Sequence, residues 1–336
     1  MKLMAVKTSD TNSIPPPRLI PSLVAGFNLV ANNIYLILLP VLLDLFLWMG
    51  PHYRMKSLLT PWINGTLEML ASNSNNDMTR FTTSLADLWR LLLERFNLAS
   101  SLITFPIGVP SIIINLSPIS TPAGNPPVIE VSSISQMVVL WIGFSLLGMG
   151  LGAFYFSIVA HSASGGKLQL NIRNLAWNIW QTTLLSITLF FLAIILLIPL
   201  TLIISIFALI NPMLSQIVLI ILSFLGMWLI IPMVFCPHGI FMYRMGILAS
   251  LMASVRLVRT TLPTTGIFLL AVVVINQGMN IIWRIPPETS WMTLIGIFGN
   301  AFITTGLLSA SFVFYRTGAE WLQEMLRRST KLDAKS

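Results

Sequence analysis

Charge is what this sequence has least of. Asp, Glu, Lys and Arg together make up 9% of its 336 residues, against roughly 25% in an ordinary soluble domain. Between Arg173 and Arg244 they are absent from 70 consecutive residues. A soluble segment cannot stay uncharged and apolar for so long, because helices and strands in water must show a polar face. The run also exceeds a single membrane span, which needs about 20 residues. It reads as two spans with a tight return at Asn211-Pro212, preceded by an approach segment. Cysteine is nearly absent too: Cys236 stands alone, which excludes an intrachain disulfide. There is no phosphate-binding glycine loop, no carboxylate pair in a span and no Cys/His cluster of useful spacing. No cofactor or metal is therefore expected. The N-terminus lacks the apolar core of a signal peptide, so the first span is expected to direct targeting.

What fills the chain instead is hydrophobic, at 55%, with a net charge of +8. Basic residues collect on cytoplasmic loops of membrane proteins. The positive balance therefore points to membrane lipids as partners, and no nucleic acid is expected. The predicted fold class is an all-α polytopic membrane protein with six transmembrane helices. The spans are placed at Leu29 to Met49, Met137 to Ala160, Leu184 to Ile210, Leu214 to Met242, Leu262 to Trp283 and Trp291 to Phe314. With the N-terminus inside, 13 of the 19 basic residues fall on the cytoplasmic side beside four acids. The outer side then holds six bases and six acids, and Asp44 lies within the first span. Both termini are expected in the cytoplasm. The organisation that follows is a cytoplasmic segment over 1–28, a first helix over 29–49, an extracytoplasmic cap over 50–136, a five-helix region over 137–316 and a cytoplasmic tail over 317–336.

The cap divides in two. Leu85, Leu88, Leu92 and Phe96 recur at helical spacing, with Thr82-Thr83-Ser84 and Asp87 suited to the helix start and Asn73 to Asp77 a polar break before it. The second half is rich in proline. There, Ser111 to Asn115 and Val128 to Val131 are expected to pair as strands across the Pro-Ala-Gly-Asn turn. An irregular loop lying on the helices is the plainer alternative. Two amphipathic helices are expected along the inner surface. One carries Leu168, Ile172, Leu175 and Ile179 against Gln169, Arg173, Asn174, Asn178 and Gln181, with Trp177 and Trp180 at headgroup level. The other runs from Gly246 to Thr260, with Arg256 and Arg259. Both could instead extend the neighbouring spans. The tail from Glu320 to Arg328 is expected to form a further short charged helix.

The stretches Gly165-Gly166-Lys167 leading into LQLNIRNLAWNIWQTTLL, and PMVFCPHGIFMYRMGILASLMASVRLVRTTLP, carry a resemblance. In layout from Met137 to Arg316 the chain resembles a bacterial superfamily of six-helix membrane proteins. That superfamily includes the membrane domain found with some glycerophosphodiester phosphodiesterases. The resemblance implies a helical bundle, with a basic helix carrying Ser254 leading into the fifth span. It implies little about activity; the phosphodiesterase activity is not expected to carry over, since the sequence has no room for that soluble domain, and the cap has no counterpart.

Three groups of residues could carry function. Asp44 is the only acid in a span, and an ionised Asp there is costly. It is a candidate proton or cation site with Asn276, Gln277, Asn280 and Arg284, or else half of a structural ion pair with Arg284. Pro232, Pro237, His238 and Gly239 interrupt the fourth span and are a candidate hinge or vestibule. A metal site of Cys236, His238 and His161 is short of ligands. Gly148 and Gly152, and Gly299 with Gly306, form small faces for helix packing, within the bundle or in a homo-oligomer. The expected function is a non-enzymatic membrane subunit, scaffold or assembly factor, with a possible membrane protein partner. The alternative is a transporter or channel for a small or amphipathic solute using Asp44 and the kinked span. A lipid-acting enzyme would lack an identifiable catalytic group.

Overall fold

A computed structural model describes residues 15–72, 76–116, 118–165 and 172–333. Asn73 to Asn75 and Gly166 to Gln169, named above, lie outside the described residues, as do Lys2, Lys7, Asp10 and Lys335 of the charge count. The chain is almost wholly helical. Five helices are long and apolar enough to cross a membrane, or six if one sharply bent pair counts as a span. Its composition and these helices mark it as a membrane protein.

The bent pair overturns the straight first span. Helix α1, Leu19–Asn32, ends at Asn33, and α2, Leu38–Met49, leaves at 93° after a single tight turn. Asn33 breaks the helix by leaving helical geometry while its side-chain amide donates to the Leu29 carbonyl at 2.9 Å. Pro40 then sits in the first turn of α2, where its missing N–H costs nothing. The first helix starts ten residues earlier than expected because Gly26 lets it lie directly on the last helix, against the Ala310 backbone.

That last helix, α12, is the axis of the bundle. It runs unbroken from Thr293 to Asp333, so the charged tail is not separate from the sixth span. Between Trp283 and Thr293 the chain reverses, and α11, Leu262–Trp283, returns along α12. Helix α6, Ile134–Ala163, packs on the other side and holds it through Tyr155, which donates to Thr305 Oγ1 at 2.8 Å. Helix α7 is also unbroken, from Ile172 to Ile210. The first expected surface helix is thus one end of a candidate span, and its polarity is inverted. Asn178 and Gln181 point into the bundle, whereas Trp177 and Trp180 are exposed. Asn178 donates to Ser157 Oγ at 3.1 Å, and Gln181 Oε1 accepts from the Ile247 amide. In lipid the hydrocarbon-facing side is apolar, so the polar stripe of such a helix turns toward protein. Asn211 caps α8, Pro212–Ile230, as the return signal predicts, accepting from the Met213 amide at 2.8 Å.

The segment expected to form the cap is folded rather than irregular. Helices α3, Lys56–Ser72, and α4, Asn76–Arg95, pack on each other. The α4 helix starts at Asn76, before Thr82 and within the expected polar break. Strand β1, His52–Arg54, pairs parallel with β2, Val128–Glu130, placing Tyr53 opposite Ile129. The expected hairpin with Ser111 to Asn115 does not form. Residues Ile113–Leu116 make a one-turn helix, α5, instead.

Candidate functional site

The 34 residues between Arg95 and Glu130 contain no charge. Their first part, from Leu98 to Ile113, leaves the cap and runs down the side of α6. Leu102 lies on Gly148, and Ile107 lies on Gly152, where an added Cβ would come within 2.9 Å of the Ile107 carbonyl oxygen. Gly152 is eighteen residues beyond the start of α6, or roughly 27 Å along it. The small face of α6 is therefore covered by the short 3-10 turn Leu98–Leu102 and by the irregular chain that follows it. Such backbone survives at membrane depth only when protein covers it. Leu98, Ala99, Leu102, Ile107, Val109, Ile112 and Ile113 are all buried. At the tip, Thr104 Oγ1 donates to the Ile107 carbonyl at 2.6 Å, and Phe105 remains 77% exposed.

Asp44 holds the returning limb of this inserted segment. Its carboxylate accepts from the Ser111 hydroxyl and from the amides of Ile112 at 3.2 Å and Ile113 at 3.3 Å. The side chain is fully buried. A buried carboxylate at the start of α5 thus satisfies donors that α5 cannot. The ion pair with Arg284 is absent among the described residues. The turn after Asn33 presents Asp44 to the inserted segment, while Arg284 stays exposed at the end of α11. Asn276 and Gln277 lie on α11 outside the Asp44 cluster, as does Asn280, whose Oδ1 is buried without a partner.

The upper end of the inserted segment is tied as well. Asn97 Oδ1 accepts from the Tyr53 and Ala99 amides at 3.0 and 3.1 Å. Glu288 accepts from Arg95 at 2.8 Å and from the Ile119 amide at 3.1 Å, and its carbonyl accepts from Trp48 Nε1. His52 is buried beneath this ring, with Nε2 3.3 Å from the Leu47 carbonyl. Burial pushes its imidazole below the ordinary value of 6.5, and Arg54 adds to the shift. The unfolded chain therefore binds more protons than the folded one below pH 6.5, and folding stability falls on acidification. A His52→Gln variant is expected to lose part of the drop in thermal midpoint between pH 7.5 and 5. An unchanged drop would show that His52 does not contribute.

The break in the fourth span is braced by the helix that follows it. A tight turn over Ile231–Met233 leads to α9, Cys236–Tyr243. The next helix, α10, Ile247–Thr260, supplies the missing donors. Ser254 Oγ donates to the Pro232 carbonyl at 2.6 Å and Ser250 Oγ to the Cys236 carbonyl at 2.5 Å. Gly239 is the residue that permits this approach, because a side chain there would strike the Ser250 hydroxyl. Pro237 stands in the first turn of α9. His238 is buried among Phe235, Phe312 and Tyr315, and its Nε2 lies 2.7 Å from Ser311 Oγ. Among the described residues no cluster of His, Cys, Asp or Glu could hold a metal ion.

On α12, Gly299 faces the Trp283 ring, where an added Cβ would approach to 2.7 Å. Gly306 faces the Phe27 ring of α1. These small residues seat bulky rings from neighbouring helices. Comparison of the chain with protein-family models, curated proteins and solved structures gives no match.

The inserted segment is the feature that residue patterns missed. A 34-residue uncharged run broken by prolines was its signal. That combination is too irregular for a span and too apolar for an ordinary surface loop.

Proposed function

We propose that the chain is a multi-pass protein of the cell membrane, with both termini cytoplasmic. It acts there as a non-enzymatic subunit, scaffold or assembly factor. One observation carries this reading. The α7–α8 hairpin stands largely outside the bundle: α8 buries no residue, and α7 buries only Asn178, Gln181, Thr182 and Leu185. Meanwhile Asp44, His238 Nε2, Ser250 and Ser254 are occupied with structural bonds. A bundle that commits these groups internally, and which offers a long apolar hairpin, suits assembly with another membrane helix. A photo-crosslinking residue at Leu202 or Phe224 in native membranes is expected to give one discrete protein adduct, with a partner or a second copy. Labelling of lipid alone would overturn the proposal.

The transporter or channel reading draws support from the segment Leu98 to Ile113. Irregular backbone at membrane depth accompanies solute paths in some membrane proteins. In that reading the three bonds to Asp44 open during transport. The six-helix resemblance over Met137 to Arg316 suits either reading.

A further inference from the structure

A cavity of about 380 Å³ lies between α7, the break before α9 and the tip of the inserted segment. Phe105 and Pro106 form one wall, Leu189 and Leu196 another, and Val234 and Pro237 a third. The polar groups at its rim are already used. Ser186 Oγ lies 2.9 Å from both the Phe105 and the Thr182 carbonyls. The lining can therefore take hydrocarbon and offers nothing to a polar solute.

Arg244 closes α9 seven residues beyond Pro237, about two turns or roughly 10 Å along the chain axis. It is the one non-glycine residue with positive φ among those described, at φ 54° and ψ 33°. The Met245 amide bonds back to the Gly239 carbonyl at 3.3 Å, a helix ending that normally places glycine at this position. Arg244 is exposed, and no acid pairs with it among the described residues. Gln181 on α7 bonds the Ile247 amide three residues on, which sets Arg244 near the level of the exposed Trp177 and Trp180. Tryptophan at a helix end marks the headgroup level. A strained, unpaired cation thus sits at headgroup depth, and an apolar cavity opens deeper along the same helix.

We propose that this is a site for one anionic phospholipid, with its phosphate on Arg244 and an acyl chain in the cavity under Phe105. The proposal rests on the multi-pass reading above. Retention of the full chain in bilayer nanodiscs tests that reading separately, and lipid selectivity then tests the site. Native mass spectrometry of the detergent-purified chain should show one phosphatidylglycerol retained in preference to phosphatidylcholine of the same chains. Arg244→Gly relieves the left-handed position and should reduce that preference about fivefold, the factor expected for one basic residue at an anionic surface. Ala193→Trp, filling the cavity, should reduce retention of both lipids. Six-carbon chains should also be retained less than sixteen-carbon chains, a readout that needs no variant. Glycerol phosphate without chains should not compete. Unchanged preference in Arg244→Gly, equal retention of short and long chains, or competition by glycerol phosphate would each overturn the site. So would full retention in a folded Ala193→Trp.

Discussion

Asp44→Ala is expected to lower the stability of the protein by about 3 to 5 kcal/mol. Three donors share this carboxylate, and each buried donor left without an acceptor costs about 1–3 kcal/mol. Relaxation of the inserted segment keeps the sum below the upper limit. The loss should be local before it is global: limited proteolysis should open the chain between Leu98 and Leu116 below the thermal midpoint. Asp44→Asn should lose less, because its amide oxygen can still accept from Ser111 or one of the two backbone amides. The ordering wild type, Asn, Ala in thermal midpoint therefore marks a structural carboxylate. A wild-type midpoint for Asp44→Asn combined with lost solute flux would assign Asp44 to transport instead.

The second large effect belongs to Gly148. A Cβ at this position would run into the Leu102 backbone, which cannot yield as a flexible side chain could. Gly148→Val should therefore cost about 3 kcal/mol, at the upper end of the range for overpacked cores. Gly150, two residues away on the same helix, has open space around its Cα. Gly150→Ala should be neutral or stabilise by up to about 1 kcal/mol through helix propensity. Thermal unfolding of the two variants in the same detergent compares them directly. Equal behaviour would show that the segment from Leu98 to Ile113 does not press on α6.

How much of this was legible follows from the range of the forces involved. The fifth span, Leu262–Trp283, has the bounds that its apolar run predicts, because length and hydropathy alone set them. The Asn211-Pro212 return and the break at Pro232 to Gly239 were equally local signals, resting on capping and proline chemistry. The direction of the α7 polar stripe was not, because Asn178 and Gln181 satisfy an amphipathic pattern whichever side they face. Only their partners, Ser157 and the Ile247 amide, decide it. The parallel pairing of His52–Arg54 with Val128–Glu130 joins segments 76 residues apart and has no local signature. For Asp44, cost in the membrane drew attention to the residue, yet its acceptor role depends on Ser111 and two amides far along the chain.

The seating of α1 on α12 bears on how the protein is made. Gly26 meets Ala310, so during synthesis α1 waits for α12 before its principal neighbour exists. At 14 residues, α1 is roughly 21 Å long, shorter than the hydrocarbon thickness of about 30 Å. A nascent chain that stops before Thr293 therefore carries α1 without the length to cross the hydrocarbon alone and without the helix it packs on most. Synthesis of α12, rather than insertion of α1 itself, is the event that fixes α1 in place.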